Sequence, residues 1–380
     1  MIYQDKFLIW SFLIFNYKRG DIMEDLKIML NSIEGLDKDA MAAAKRYLDH
    51  LSKPIGSLGV LEDLVVKLSG IKGKTIKKIN KKTIVVMCAD NGIEREGVSS
   101  CPREVTAIVT QNIADGTTAV CKLSEYYNSD VELIDIGVDK DFDDPKIVNK
   151  KISYGTRNMT QGPAMTREEV VKAIKVGIET VRDLKERGYD LIGTGEMGVG
   201  NTTTSAAIIS VFSGIDSDLI VGKGSGLTDD GLAHKRRMVK KAIEVNKPKV
   251  EDALDVLTKV GGLDIAGLCG VFLGGALFRI PVVIDGLISS AAALCAKGLC
   301  PKAGEYMLGS HLSAEPGAQF AMEALGVQPL FNLGMRLGEG TGCPIAFGII
   351  EGAIYTMSNM ASFSESGVDE SDYIDIRETE

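Results

Sequence analysis

Histidine is scarce in this chain. Only His50, His234 and His311 occur in 380 residues, too scattered to suggest a metal centre. The seven cysteines, Cys88, Cys101, Cys121, Cys269, Cys295, Cys300 and Cys343, form no C-x-x-C pair and are odd in number. That pattern argues against a disulfide framework or a zinc site, and for reduced, mostly buried thiols in a cytoplasmic protein. Basic excess is also missing. With 43 Lys+Arg against 52 Asp+Glu the formal charge is −9, so the cationic surface that wraps nucleic acid is absent. Long apolar runs are few. The aromatic stretch at 7–15 is too short to span a bilayer. Only Lys6 precedes it and no small-residue cleavage site follows, so it makes an incomplete export signal. An extra N-terminal helix, or an upstream start with Met23 as the true beginning, are the other readings. The stretch 261–278 carries Asp264 near its start and Arg279 at its end. It reads as a helix buried on most faces, its small residues allowing close packing, and not as a membrane span.

Size, apolar residues and glycine are present. Hydrophobic residues make up 45%, enough for a sizeable core in two domains or one large α/β domain. Leu58, Leu61, Leu64, Val65 and Leu68 recur at helical spacing. β-Branched runs at 83–88, 131–136, 189–192 and 281–284, with a weaker one at 306–308, read as strands. Between them, Pro102 opens one helix and the Thr166-x-x-Glu169 capping box opens another. Strands separated by helices imply a parallel sheet with right-handed crossovers. Asp90, Asp135, Gly193, Asp285 and His311 all follow strands, and the carboxyl edge of such a sheet is where ligands bind. The three aspartates are candidates for ribose hydroxyls or for helix caps, with capping favoured at Asp135. His311 reads as a structural histidine.

Three glycine-rich segments carry the chemistry. In the run 193–203, Gly193, Gly195 and Gly198 fit G-x-G-x-x-G after a strand, and Asp216 lies at a plausible distance for a ribose-binding acid. Gly195 and Gly200 also fit a P-loop, but Asn201 stands where the lysine belongs. A nicotinamide-dependent dehydrogenase and a ligand-free turn both remain open on this segment alone. The shared physical content is a helix N-terminus with backbone N–H groups and threonines that favour an anion. A second loop, 222–226, precedes a helix carrying His234, Lys235, Arg236 and Arg237. The third reads Arg336-Leu-Gly-Glu-Gly-Thr-Gly342. It sets Glu339 among glycines that let backbone approach a ligand, where a lone carboxylate is placed to take a proton. A surface acid in a glycine turn is the plainer alternative.

Seven motifs in order resemble one family: Lys53-Pro-Ile-Gly-Ser-Leu-Gly59; Asp90-Asn-Gly with Glu96-Gly-Val-Ser-Ser-Cys-Pro102; the 193–204 loop; Gly261-Gly-Leu-Asp-Ile-Ala-Gly267; Asp285-Gly-Leu-Ile-Ser-Ser290; Ser310-His-Leu-Ser-Ala-Glu-Pro-Gly317; and the 336–342 loop. Together they resemble the nicotinate-nucleotide–dimethylbenzimidazole phosphoribosyltransferases across roughly 25–368, the size of a whole domain of this kind. The resemblance implies a Rossmann-like parallel α/β sheet with flanking helices, a small helical domain from the chain ends and a homodimer. The division is 1–22 extension, 23–82 helical segment, 83–342 α/β domain, 343–367 returning helix and 368–380 acidic tail.

The resemblance also implies site roles. Glu339 is the general base. Glu196, Met197, Gly198, Gly200, Asn201, Thr202 and Lys235 bind the nucleotide and its phosphate. Ser99, Ser100 and Ile108 belong to the base pocket, with Ile108 standing where relatives carry an amide. Nicotinate mononucleotide and a benzimidazole-type base are the partners, with neither metal nor cofactor. A nucleotide-binding subunit that needs a paralogue to turn over is the other rival.

Overall fold

The computed structural model describes residues 22–369. The expected N-terminal extension, apart from residue 22, and most of the expected acidic tail lie outside the described residues. Seven strands form one sheet, all parallel, in the order β3-β2-β1-β4-β5-β6-β7. They are β1 (Lys82–Ala89), β2 (Asp130–Gly137), β3 (Ile147–Asn149), β4 (Leu191–Met197), β5 (Val282–Ile284), β6 (Met307–His311) and β7 (Pro329–Phe331). β1 is buried at every position, as its unbroken apolar run requires of a central parallel strand. The chain leaves β1 toward one edge and returns at β4 to build toward the other. The order therefore reverses between β1 and β4, a switch point whose carboxyl ends open a crevice.

The five strands read from sequence are present. The two edge strands, β3 and β7, each hold only three residues. They lack a run long enough to signal a strand, and β7 begins with a proline that an edge position tolerates. β4 runs further than its apolar residues indicate. Gly193, Thr194, Gly195 and Glu196 belong to the strand, so only the second half of the glycine segment is loop. A Cβ on Gly193 would lie 2.6 Å from the Cβ of Cys343, and one on Gly195 would lie 3.0 Å from the Cα of Gly340. Gly195 is there because another piece of backbone crosses the strand, and Gly193 because the Cys343 and Phe347 side chains pack directly on it.

Each sheet face has its own apolar layer. The Val60–Lys72 and Gly342–Asn359 helices contribute to one layer together with Ile84, Val86 and Cys88 of β1. The chain ends meet there: Leu51 bridges Ser362, and the Tyr47 hydroxyl donates to the Met357 carbonyl at 3.0 Å. The first described helix, Ile22–Asn31, packs on the opposite face, where Asp25 pairs with Lys175. The capping box forms in both directions, Glu169 N–H to Thr166 Oγ1 at 3.1 Å and Thr166 N–H to Glu169 Oε2 at 2.6 Å. It starts the Arg167–Glu186 helix.

That helix lies directly on the Leu263–Phe278 helix, the apolar stretch noted above, which is buried at all but one of its positions. Among the described residues no helix is long and apolar enough to cross a membrane. Gly177 faces Gly267 and Gly270 across the contact, and its Cβ would sit 2.6 Å from Val271 N. A methyl on Gly270 would likewise collide with the Ile174 carbonyl. Gly270→Ala therefore forces the two backbones apart. A loss of roughly 1–3 kcal/mol is expected, read as a lower urea midpoint with an unchanged slope. An unaltered midpoint would show that the helices part freely.

Candidate active site

The carboxyl ends of β4, β5 and β6, with Ser99, Cys101, Val105 and Val109 from the chain that follows β1, surround a cleft of about 570 Å³. On one side the chain leaves β4 through Gly198 and Val199, turns at Gly200 (φ 93°) and enters the Asn201–Ser213 helix. Gly198 through Thr202 line the cleft, which presents the positive end of the helix dipole to it.

Asn201 does more than open the helix. Its Nδ2 donates to Glu196 Oε2 and, at 3.0 Å, to Asp264 Oδ2. One amide thus holds two buried carboxyls. Asp264 also accepts from its own helix at Ile265 N (3.0 Å) and from Asn91 Nδ2 at 3.5 Å. Burial pushes Glu196 up to about 8, with the Asp264 charge adding to it. Burial pushes Asp264 to about 6, the hydrogen bond from Asn201 opposing. The better-supplied Asp264 is the anion of the pair, and Glu196 carries the proton at neutral pH.

Lys235, on the Asp229–Asn246 helix, is 1% exposed and stands behind the cleft wall. Its Nζ donates to Thr202 Oγ1 at 2.9 Å. Burial pushes it down to about 8, against the pull of Glu315. Glu315 accepts from Gly224 N at 3.1 Å and so ties the 222–226 loop to the β6 side. Arg336 reaches the same loop, donating to the Gly224 carbonyl at 3.2 Å.

The facing wall is the 336–342 loop. Gly338 (φ 85°), Glu339 (φ 61°) and Gly340 (φ 93°) are successive left-handed residues. Asp285, 2% exposed at the end of β5, accepts from Gly340 N at 3.1 Å and from Gly342 N at 2.7 Å. Glu339 lines the cleft, and its Oε2 is buried with no hydrogen-bond partner among the described residues. Burial, followed by the Asp285 charge, raises its carboxyl above the usual glutamate range.

Most of the residues singled out from sequence converge here. Glu339, Glu196, Met197, Gly198, Gly200, Asn201, Thr202 and Ser99 line the cleft, with Lys235 one side chain behind Thr202. Two residues expected in the base pocket do not line the cleft. Ile108 is 56% exposed and outside the lining, which takes Val105 and Val109 from the same helix. One helical turn, i to i+4, sets those two on the face toward the cleft. Ser100 sits at the rim, its Oγ 2.7 Å from Ser225 Oγ.

The aspartates also divide. Asp285 clamps a loop. Asp135 accepts from Gly137 N and Val138 N and pairs with Lys151, so it caps a turn and not a helix. Asp90 accepts from Asp139 N. Asp216 is spent on Asp218 N and Lys240 at the surface, which removes the ribose acid that a dehydrogenase reading needs. Asp264 and Asn91 were quoted only within motifs. A buried aspartate opening an otherwise apolar helix was the available signal.

The Glu196 proton makes stability depend on pH with a definite sign. Its folded value lies above its unfolded one, so its contribution is whole below about pH 4.5 and is lost as pH rises toward about 8. Glu196→Gln removes that loss. The variant should gain on the wild type across this window by at most about 1.4 kcal/mol per pH unit, measured by urea unfolding at about pH 5, 7 and 9. Parallel pH curves would mean that Glu196 is ionised in the folded chain.

Comparison with known proteins shows the family. A family profile described as phosphoribosyltransferase matches residues 33–368. The chain is 53% identical to the nicotinate-nucleotide–dimethylbenzimidazole phosphoribosyltransferase of Clostridium tetani, over 94% of this chain and 99% of that one. It is 50% identical to the same enzyme of Clostridium acetobutylicum, over 91% and 98%. The crystal structure of the Thermus thermophilus enzyme of that name superposes with a TM-score of 0.83 at 35% identity, covering 88% of this chain and 99% of that one. The chain belongs to the nicotinate-nucleotide–dimethylbenzimidazole phosphoribosyltransferase family.

Proposed function

We propose that this enzyme transfers the phosphoribosyl group of nicotinate mononucleotide to 5,6-dimethylbenzimidazole or a related base. The products are α-ribazole 5′-phosphate and nicotinate, for the lower ligand of cobalamin. One observation carries the reading. A partly desolvated glutamate faces, across a single cleft, a helix N-terminus backed by a buried lysine. That pairs a base with an anion site in one cleft.

The phosphate docks on the amides of 198–202, favoured by the helix dipole. Lys235 supplies the charge from behind Thr202. A benzimidazole nitrogen attacks the anomeric carbon as the nicotinate ring departs. The leaving group is a quaternary pyridinium nitrogen that becomes neutral, so no acid need protonate it. The nucleophile must lose its N–H proton, and Glu339 takes it. Attack opposite the departing ring turns a β-linked ribose into an α-linked one. Phosphate binding, remote from the reacting carbon, aligns the two reactants. Val105, Val109 and Leu337 give the incoming base an apolar surface. The same reading places the enzyme in the cytoplasm, consistent with seven free cysteines. It joins 23–82 with 343–367 as a small helical unit and pairs two copies as a homodimer, which sedimentation of the pure protein tests.

Incubation of the pure protein with nicotinate mononucleotide and a panel of bases should release nicotinate. Binding without release for every base would favour the subunit that needs a paralogue. Glu339→Gln should bind nicotinate mononucleotide normally and turn over roughly 10²–10⁴-fold more slowly. Near-normal turnover would remove the base assignment.

Lys235 generates a second outcome. Its protonated form binds phosphate, and the bound dianion raises its value further. Affinity for nicotinate mononucleotide is therefore full below about pH 8 and falls as pH rises past the free value. Isothermal titration at about pH 7 and 9 should show this fall in the wild type and a weak, nearly pH-independent affinity in Lys235→Met.

A further inference from the structure

We infer that Asp285 is a positioning residue of the transfer. Its two carboxylate oxygens hold two amides of the backbone just after Glu339 and so fix where that carboxyl sits in the cleft. The inference rests on reading Glu339 as the base. Three successive residues with positive φ, 338 to 340, form a segment that a free loop would leave. Left-handed backbone costs a side-chain-bearing residue roughly 1–2 kcal/mol, so something outside the loop must hold Glu339 there.

Asp285 is that hold. Oδ2 takes the amide just after Glu339 and Oδ1 takes the amide two residues further. The clamp has little slack, since a Cβ on Gly342 would lie 2.9 Å from Oδ1. Asp285 is anchored in turn. The Ser310 hydroxyl donates to its carbonyl at 2.9 Å, and His311 Nε2 lies 3.8 Å from Oδ1.

The charge of Asp285 acts on the same residue. The titratable groups around it are Glu339 on the loop, Glu196 on β4, His311 on β6 and Cys343 at the start of the following helix. Arg336 lies three residues upstream of Glu339, engaged with Gly224. After burial, the Asp285 charge is what lifts Glu339. One carboxylate thus sets both the place and the proton affinity of the base.

Measuring kcat and KM against pH separates these effects from a loss of fold. Asp285→Asn keeps the shape, loses one acceptor and loses the charge. It should lower kcat roughly 10–100-fold, leave KM for nicotinate mononucleotide within about threefold and move the acid limb of kcat to lower pH. Asp285→Glu keeps the charge but alters the reach, and should lower kcat with the limb unmoved. In a Glu339→Gln background, Asp285→Asn should add less than about a twofold loss.

A folded Asp285→Asn with an unmoved limb, or with KM rising as much as kcat falls, overturns the inference and leaves the base reading intact. If Asp285→Asn does not fold, Asp285→Glu decides, and a wild-type kcat there overturns it. Near-normal turnover of Glu339→Gln overturns the base reading itself, and this inference with it.

Discussion

The site depends on a backbone-to-backbone contact. Residues 338–342 cross the central strand β4 where that strand has no side chains. A Cβ on Gly195 would collide with the Glu339 carbonyl, and Phe347 fills the space over Gly193 with its ring tip 3.1 Å from the Cβ position. Glycine inside a strand weakens it. Here it allows the N-terminus of the Gly342–Asn359 helix to sit against the sheet. Any side chain at 193 or 195 would lift the loop and carry Glu339 with it. The fold at this point trades intrinsic strand stability for the placement of one carboxyl.

A second constraint is electrostatic. A cleft meant for an anionic nucleotide is lined by Glu196, Asp285, Glu315 and Glu339, with Asp264 behind. Asp285, Glu315 and Glu196 are each occupied in a way that reduces their repulsion of phosphate. Asp285 and Glu315 spend oxygens on backbone amides. Glu196 is neutral through burial beside Asp264. What remains where the proposed function seats the phosphate is a helix dipole and Lys235. Asn201 joins the two regimes. It opens that helix and, with the same side chain, supplies both hydrogens to the acid pair. The P-loop pattern departs at this position, where an amide serves the acid pair in place of a phosphate-binding lysine.

How much of this was legible follows from the range of each interaction. The five inner strands, the capping box and the small-residue helix were readable because local pattern and burial agree for them. The glycine segments and Glu339 were readable as chemistry because their residue types have few other uses. The extent of β4 was not, since its glycines answer to a helix that returns from far along the chain. Nor was Asp285 distinguishable from Asp90 or Asp135. All three follow strands, and only the tertiary structure shows that one holds a loop, one a neighbouring amide and one a turn. The position of Ile108 relative to the cleft was not legible either. The helix presents Val105 and Val109 to the cleft and leaves 108 on its shoulder.

Backbone strain gives an independent reason to attach function to Glu339. Four non-glycine residues among those described have positive φ: Asn128, Lys247, Arg279 and Glu339. Lys247 and Arg279 are the C-caps of their helices, and Asn128 follows one, with Ser129 N–H returning to the Ser124 carbonyl. Left-handed residues are ordinary at such ends, where they satisfy the last carbonyls. Glu339 ends no helix. Its conformation satisfies no cap, and its side chain leaves one oxygen without a partner. Strain and an unmet hydrogen bond both disfavour the folded chain. They persist together only because Asp285 and the glycines of β4 over-determine the loop, and the product of that over-determination is a carboxyl held in the cleft wall where the proposed transfer needs its base.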